Sequence, residues 1–151
     1  MIALRAAADG DIAAITAIVQ SAYSVYLPRM GKPPGPMLDD YGALVAAGRV
    51  TVADEGGRLL GLIVLLPEAD HLLLDNVAVA PEGQGRGLGR RLIAFAEDEA
   101  CRLGLRDLSL YTHVTMTENI ALYARLGFIE THRGEQAGYA RVFMRKPLRP
   151  S

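Results

Sequence analysis

The chain has 151 residues, 16 Lys and Arg against 17 Asp and Glu, one cysteine and no tryptophan. That length suits one domain, and a composition that is 50% hydrophobic and 22% charged excludes wholesale disorder. A net charge of −1 supplies neither the basic footprint of a nucleic-acid binder nor a polybasic membrane patch, and the lone Cys101 excludes a disulfide framework or a cysteine-based zinc site within one chain.

Ile2 to Ala6 reads as a first strand, and Asp9-Gly10-Asp11 as a turn with a helix cap. Ile12, Ile15, Ile18, Val19 and Ala22 recur at helical spacing. From Tyr23 to Pro36 four prolines and two glycines break that pattern, so a surface loop is expected there. Asp39 to Ala47 predicts a short helix ended by Gly48. Arg49 to Ala53 and Leu59 to Leu66 predict a hairpin about Glu55-Gly56-Gly57-Arg58, and His71 to Val79 a third strand. Arg86 to Leu103 carries Leu88, Leu92, Ala96, Ala100 and Leu103 on one arc, an amphipathic helix of about five turns. Leu105 to Thr112 returns to strand, and Thr115 with Glu118 fits a capping box opening a helix to Leu126. Phe128 to Thr131 and Tyr139 to Arg145 predict a last strand pair. This order predicts a mixed α/β (α+β) fold with a mostly antiparallel central sheet of six to seven strands, flanked by about four helices. One domain over 1–151 is expected. The start, Met1 to Ala17, reads as neither signal peptide nor membrane span, so a soluble, cytoplasmic protein is expected.

The chemistry concentrates in Val77-Ala78-Val79-Ala80-Pro81-Glu82-Gly83-Gln84-Gly85-Arg86-Gly87-Leu88-Gly89, where a strand enters a glycine-dense turn and then a long helix. Unpaired amides at the helix start and the positive end of its dipole suit a pyrophosphate. No Gly-Lys-Ser/Thr closes the turn, which excludes a Walker loop. A dinucleotide fingerprint belongs to a parallel strand–helix–strand unit, whereas this turn follows a meander. His71, His113 and His132 lack metal-ligand spacing, so no metal is expected.

Gln84-x-x-Gly87-x-Gly89 in this setting resembles the acetyl-CoA motif of the GNAT N-acetyltransferase superfamily. Asn119, Tyr123 and the closing Gly127-Phe128 are similar to its second cofactor motif. The resemblance implies a GNAT-like domain with acetyl-CoA (coenzyme A) as cofactor. It implies that the strand Val77, Ala78 and Val79 pairs with the pantetheine arm through backbone groups. The turn Gln84, Gly85, Arg86, Gly87, Leu88 and Gly89 would hold the pyrophosphate, with charge from Arg86 and Arg90. Asn119 and Tyr123 share a helical face beside the thioester.

The implied reaction is attack of a primary amine on the thioester by direct transfer in a ternary complex. A lysine-like amine with pKa near 10.4 is neutral in only about one molecule in two to three thousand at pH 7, so the site must take up a proton. Asp75 is the candidate base, sharing a strand face with Val77 and Val79; Leu73 occupies a position where many relatives carry a glutamate. Tyr123 is the candidate donor to the leaving thiolate. A phenol near pKa 10 donating to a thiolate near 8.5 is uphill by about 2 kcal/mol, which leaves full proton transfer and hydrogen-bond stabilisation as two alternatives. Cys101 lies roughly three helical turns beyond the glycine loop and faces away from the apolar arc, against a covalent route.

In that superfamily the segment after the first helix shapes the acceptor site, here Tyr23 to Asp40. Tyr26, Arg29 and Met30, with His113 bordering the pocket, are the candidate substrate residues. Arg29 and Lys32 favour an acceptor bearing a carboxylate: a small-molecule amine or amino-acid-like compound. The alternatives are a peptide N-terminus or protein lysine, and a non-catalytic acyl-CoA sensor. No nucleic-acid or membrane partner is expected, and the protein reads as monomer or homodimer.

Overall fold

In the computed structural model residues 1–148 are described; the expected domain end at 151 lies outside them. Seven strands are hydrogen-bonded in the order β1-β2-β3-β4-β5-β7-β6. They are β1 (Ala3–Ala6), β2 (Val50–Glu55), β3 (Arg58–Pro67), β4 (Leu72–Val79), β5 (Asp107–His113), β6 (Ile129–Gln136) and β7 (Tyr139–Pro147). The helices are α1 (Ile12–Tyr23), α2 (Leu27–Met30), α3 (Tyr41–Ala46), α4 (Leu88–Arg102) and α5 (Thr117–Arg125). Among described pairs only β4–β5 is parallel, which matches the mostly antiparallel sheet read from the sequence.

The chain divides into two compact units, Met1–Leu65 with Asp75–Ile93, and Leu66–Leu74 with Ala94–Ser151. In the first unit α1 buries Ile15, Ile18 and Val19, and β3 is buried at every residue from Leu60 to Leu65. A strand covered on both faces reads as a continuous apolar run, and that is what Leu59 to Leu66 shows. Arg5 ties β1 to its neighbours, with Nε donating to Asp54 at 3.0 Å and both Nη atoms donating to Asp11 at 2.8 and 3.0 Å. Asp11 faces backward, accepting from the Ala8 amide at 2.8 Å, so it closes a short 3₁₀ turn and leaves the first turn of α1 without a side-chain cap. In the second unit Leu108, Leu110, Val142 and Met144 form the buried face of β5 and β7, together with Ala96, Ala100, Tyr123 and Phe128.

Three local expectations are corrected. The segment from Tyr23 to Pro36 contains 3₁₀ turns and the four-residue α2, in which Pro28 sits in the first turn where its missing N–H costs no helical bond. It also buries Tyr23 and Tyr26, so it is more than a surface loop. The long helix begins at Leu88, because Gly85 and Gly87 have φ of 77° and 73°, outside the helical region. No capping box opens α5: Met116 occupies the N-cap, and Thr115 is engaged with the His113 ring at 2.8 Å.

Gly61 on β3 is where backbone and helix approach most closely. A Cβ there would meet the Ala78 carbonyl at 2.9 Å and Leu88 Cδ2 at 3.2 Å. Gly61→Ala is expected to lower unfolding free energy by about 1–3 kcal/mol. Gly10→Ala, with nothing within 4 Å of its Cβ, is expected to be neutral or to gain about 0.4–1 kcal/mol. Urea midpoints at constant m-value check both.

Candidate functional site

The first unit holds the cofactor strand and turn. Along β4 burial alternates, with Leu72, Leu74, Asn76 and Ala78 inward and Leu73, Asp75, Val77 and Val79 half-exposed on the other face. Asp75, Val77 and Val79 are therefore brought together as read. Ala78 is buried at 3%, so only its backbone is open to a role in binding.

Gln84, Gly85, Arg86 and Gly87 are exposed. No atom lies within 4 Å of a Cβ built at Gly85, Gly87 or Gly89. The bond from Arg91 N to Gly87 O, at 3.1 Å, opens the ladder of α4. The amides of Leu88, Gly89 and Arg90 precede it and are unused by the helix, the kind of donors that a helix start can offer an anion. Leu88 and Gly83 serve packing: Leu88 is buried against Gly61, and a Cβ on Gly83 would meet Leu60 O at 3.0 Å. Arg90 is exposed. Arg86 is engaged, donating to Glu55 at 2.6 and 3.2 Å, and this contact holds the Glu55 carboxyl below the usual carboxylate range.

Behind the half-exposed face of β4 lies a polar network that sequence reasoning missed. Tyr23 Oη donates to Asn76 Oδ1 at 2.7 Å, Asn76 Nδ2 donates to Tyr41 Oη at 2.9 Å, and Tyr41 Oη donates to the Pro36 carbonyl at 2.6 Å. Tyr23 Oη also lies 3.2 Å from the Val77 carbonyl on the cofactor strand. Burial, with the Asp39 and Asp75 carboxylates nearby, pushes the Tyr41 phenol up, so it stays a donor.

The Pro36–Tyr41 bond closes a short loop that contains Asp39, whose carboxyl hydrogen-bonds Asp75. Asp39 is exposed by surface area, yet partial desolvation and the neighbouring Asp75 charge raise its pKa to about 6. Two carboxyl groups in contact resist double ionisation and share a proton. The only sequence signal for Asp39 was its place in the segment after the first helix. Tyr26 is buried in that segment with the Arg29 guanidinium 5.4 Å from its ring centroid, and Met30 is half-buried.

The second unit holds the remaining candidates. Tyr123 is buried at 7% and packs edge-to-face on Phe128, with ring centroids 5.7 Å apart. Phe128 N donates to the Tyr123 carbonyl at 3.0 Å, so Gly127-Phe128 closes the helix onto the tyrosine. Asn119 is half-buried one turn earlier, its amide 3.9 Å from Met116 Sδ. His113 is held by Thr115 and stands edge-on to Tyr139. Cys101 is an exposed free thiol on α4.

The family model described as Acetyltransferase (GNAT) family matches residues 12–128. The chain belongs to that family. It is an N-acetyltransferase with acetyl-CoA as acetyl donor. It is 36% identical over 106 residues to an IAA acetyltransferase of Azospirillum brasilense, covering 66% of this chain and 68% of that one. It is 34% identical over 76 residues to the [ribosomal protein bS18]-alanine N-acetyltransferase of Escherichia coli K12, and the match spans about half of each chain (50% and 51%). Its fold matches that of the PaiA N-acetyltransferase from Thermoplasma acidophilum in complex with coenzyme A, with a TM-score of 0.80 at 16% identity over 97% of this chain and 99% of that one. No described helix of this GNAT chain is long and apolar enough to cross a membrane.

If Arg86 contacts a cofactor phosphate, Glu55 competes for it, and Glu55→Gln is expected to tighten coenzyme A binding a few-fold and Arg86→Ala to weaken it similarly, both effects fading at high salt as for any exposed pair. Titration calorimetry at low and high salt checks this; unchanged affinity in both variants removes Arg86 from the phosphate site.

Proposed function

We propose that this enzyme acetylates the primary amine of a small, amino-acid-like acceptor by direct transfer in a ternary complex. The observation that carries this reading is the carboxyl pair formed by Asp75 on β4 and Asp39 in the connection before α3. In the singly protonated or doubly ionised state the pair attracts an ammonium group, and its upper titration near pH 6 lets it take the ammonium proton at neutral pH. Arg29 and Lys32, in the same connection, supply positive charge for an acceptor carboxylate. A polycation is disfavoured by those cations. Tyr26 and Met30 line the acceptor's apolar part in this reading, and His113 borders it.

For the cofactor, backbone groups of Val77 and Val79 pair with the pantetheine arm, and the amides from Gln84 to Arg90 hold the pyrophosphate. Asn119 and Tyr123 stand at the thioester. Burial of Tyr123 supports a dry site, in which a hydrogen bond to the leaving thiolate gains strength. The same reading takes 1–151 as one N-acetyltransferase domain of a cytoplasmic monomer or homodimer. A peptide N-terminus is the second reading, favoured by the match to the bS18-alanine enzyme.

Release of free thiol from acetyl-CoA across a panel of amino acids, simple amines and peptides tests the proposal. Turnover with amino-acid-like amines is expected; binding of acetyl-CoA with no thiol released by any amine identifies a sensor instead. Tyr123→Phe is expected to lower kcat about 10- to 150-fold, the worth of one hydrogen bond to a charged group, with coenzyme A affinity retained. Unchanged kcat removes Tyr123 from the reaction.

The carboxyl pair also dictates a pH profile. If it takes the proton of a bound ammonium, the reactive form is ionised enzyme with protonated amine. Then kcat/KM rises about tenfold per pH unit up to pH 6 and levels off between there and the amine pKa. Asp39→Asn removes the neighbouring charge and moves that bend to lower pH. A unit slope that continues to the amine pKa excludes the pair as proton acceptor.

A further inference from the structure

The second unit carries a cavity of about 450 Å3 that the acetyl-transfer chemistry leaves unassigned, a volume within the range that holds a small molecule. It is built on the half-exposed face of β5 and β7 and on the exposed strand β6, from two rows of side chains running across the strands. In one row Leu73 is opposite Ser109, and Ser109 is opposite Arg145. In the other Tyr111 is opposite Phe143, and Phe143 is opposite His132. The register shifts between Glu130 and His132, and Thr131 Oγ1 donates to the Phe143 carbonyl at 3.2 Å. This bulge lays the His132 ring flat on Phe143, with centroids 4.3 Å apart and planes within 8°. Bulges re-aim side chains in this manner beside sites.

Three properties of the cavity point to an occupant. First, Ser109 lines the cavity and its Oγ is buried without a hydrogen-bond partner, a condition that a turn of its side chain toward a ligand atom relieves. Second, the charge is one-sided. Arg145, His71 and His132 line the cavity, and among the described residues no Asp or Glu does. Arg145 has two contacts, Nη1 to Asp107 at 3.5 Å and Nη2 to His71 Nδ1 at 3.3 Å, which leaves most of its five N–H donors for a ligand. His71 Nδ1 is closer to Asp70 Oδ1, at 2.6 Å, and this bond holds the Asp70 carboxyl below its usual range. A proton on Nδ1 is thereby committed to Asp70, and the nitrogen then offers Arg145 no lone pair. Third, the second row is aromatic, with Tyr111 tilted at 50° to Phe143 and 6.0 Å from it.

We propose that this cavity binds a small molecule with a flat aromatic body and one carboxylate. The carboxylate is held by Arg145 and Ser109, and the ring lies in the angle between Tyr111 and the Phe143–His132 stack. The rows are two residues apart along each strand, about 7 Å, which matches a ring separated from its carboxylate by a short linker. These residues set the ligand's chemistry whatever the acceptor of the acetyl group is. Its occupant is either the tail of an acceptor or a separate effector, and inhibition kinetics distinguish the two.

Phenylacetate, 2-phenylethanol and cyclohexylacetate serve as probes, titrated into the full chain saturated with coenzyme A and followed by calorimetry. Phenylacetate is expected to bind one per chain, with 2-phenylethanol and Arg145→Gln each weakening binding at least about tenfold through loss of the charged bond. Cyclohexylacetate binds more weakly than phenylacetate. Ser109→Ala is expected to weaken phenylacetate about two- to tenfold while the melting temperature holds or rises, because it deletes an unsatisfied hydroxyl. That pairing separates a binding role from a folding defect. Competition between phenylacetate and an acetylated amine marks the occupant as acceptor; non-competitive change of turnover marks it as effector. Equal affinity for phenylacetate and 2-phenylethanol, indifference to Ser109→Ala, or no binding at millimolar probe overturns the proposal. A concentration-independent dimer that buries this face and excludes the probe overturns it as well.

Discussion

The packing around β4 in the first unit depends on one buried amide. Asn76 is 2% exposed, in the middle of β4, and both ends of its side chain are satisfied by tyrosine hydroxyls at 2.7 and 2.9 Å. A buried amide with one end unpaired costs about 1–3 kcal/mol, so the register of β4 relative to Tyr23 and Tyr41 is tightly specified. A slip of one residue would drive Asp75 inward and Asn76 outward, since strand side chains alternate. The network thus fixes which face of β4 carries Asp75, Val77 and Val79. Tyr41 extends the constraint to Pro36, and the chain between those two residues carries Asp39 to its place beside Asp75.

This arrangement explains why a segment rich in proline and glycine can be part of a site. Its conformation comes from Tyr23, Tyr26 and Tyr41, three aromatic rings buried at 5–9% exposure, and from two hydroxyl bonds into β4. Prolines lower the entropy lost on ordering such a connection. The cofactor turn follows the opposite logic. Gly85 and Gly87 hold positive φ with open space around them, and the three amides at the start of α4 are left without helical partners by backbone geometry alone. Side chains matter little to that geometry, and Arg86 beside it is engaged by Glu55.

Much of this was legible in the sequence, for reasons that differ by element. Period-two burial along Leu72 to Val79, the Gly56-Gly57 hairpin and the arc through Leu88, Leu92, Ala96 and Ala100 are local patterns, and the elements formed where those patterns lie. The glycine turn and the Asn119–Tyr123 spacing carried the family resemblance, although α4 starts at Leu88, the first residue of its apolar arc and two residues after the expected Arg86, because two left-handed glycines precede it. The misses are tertiary. Thr115 has the right spacing for a capping box, but the His113 ring competes for its hydroxyl. Asp39 is separated from Asp75 by 36 residues, and no local pattern announces a contact made through Tyr41 and Asn76. The cross-strand rows behind Ser109 depend on a bulge at Thr131, which alternation alone cannot reveal.

The position of Asp39 also changes what Arg29 and Lys32 mean. Read by themselves, two cations among prolines suggest only attraction for an anion. Asp39, less than a dozen residues later in the chain and paired with Asp75 of β4, introduces the opposite charge into the same segment. An acceptor that satisfies both must carry an amine and a carboxylate together, whereas a polyamine is repelled by the arginine and lysine, and a simple amine leaves them unused. A net charge of only −1 for the whole chain therefore conceals a local separation of charge, and that separation is what supports the proposed amino-acid-like acceptor.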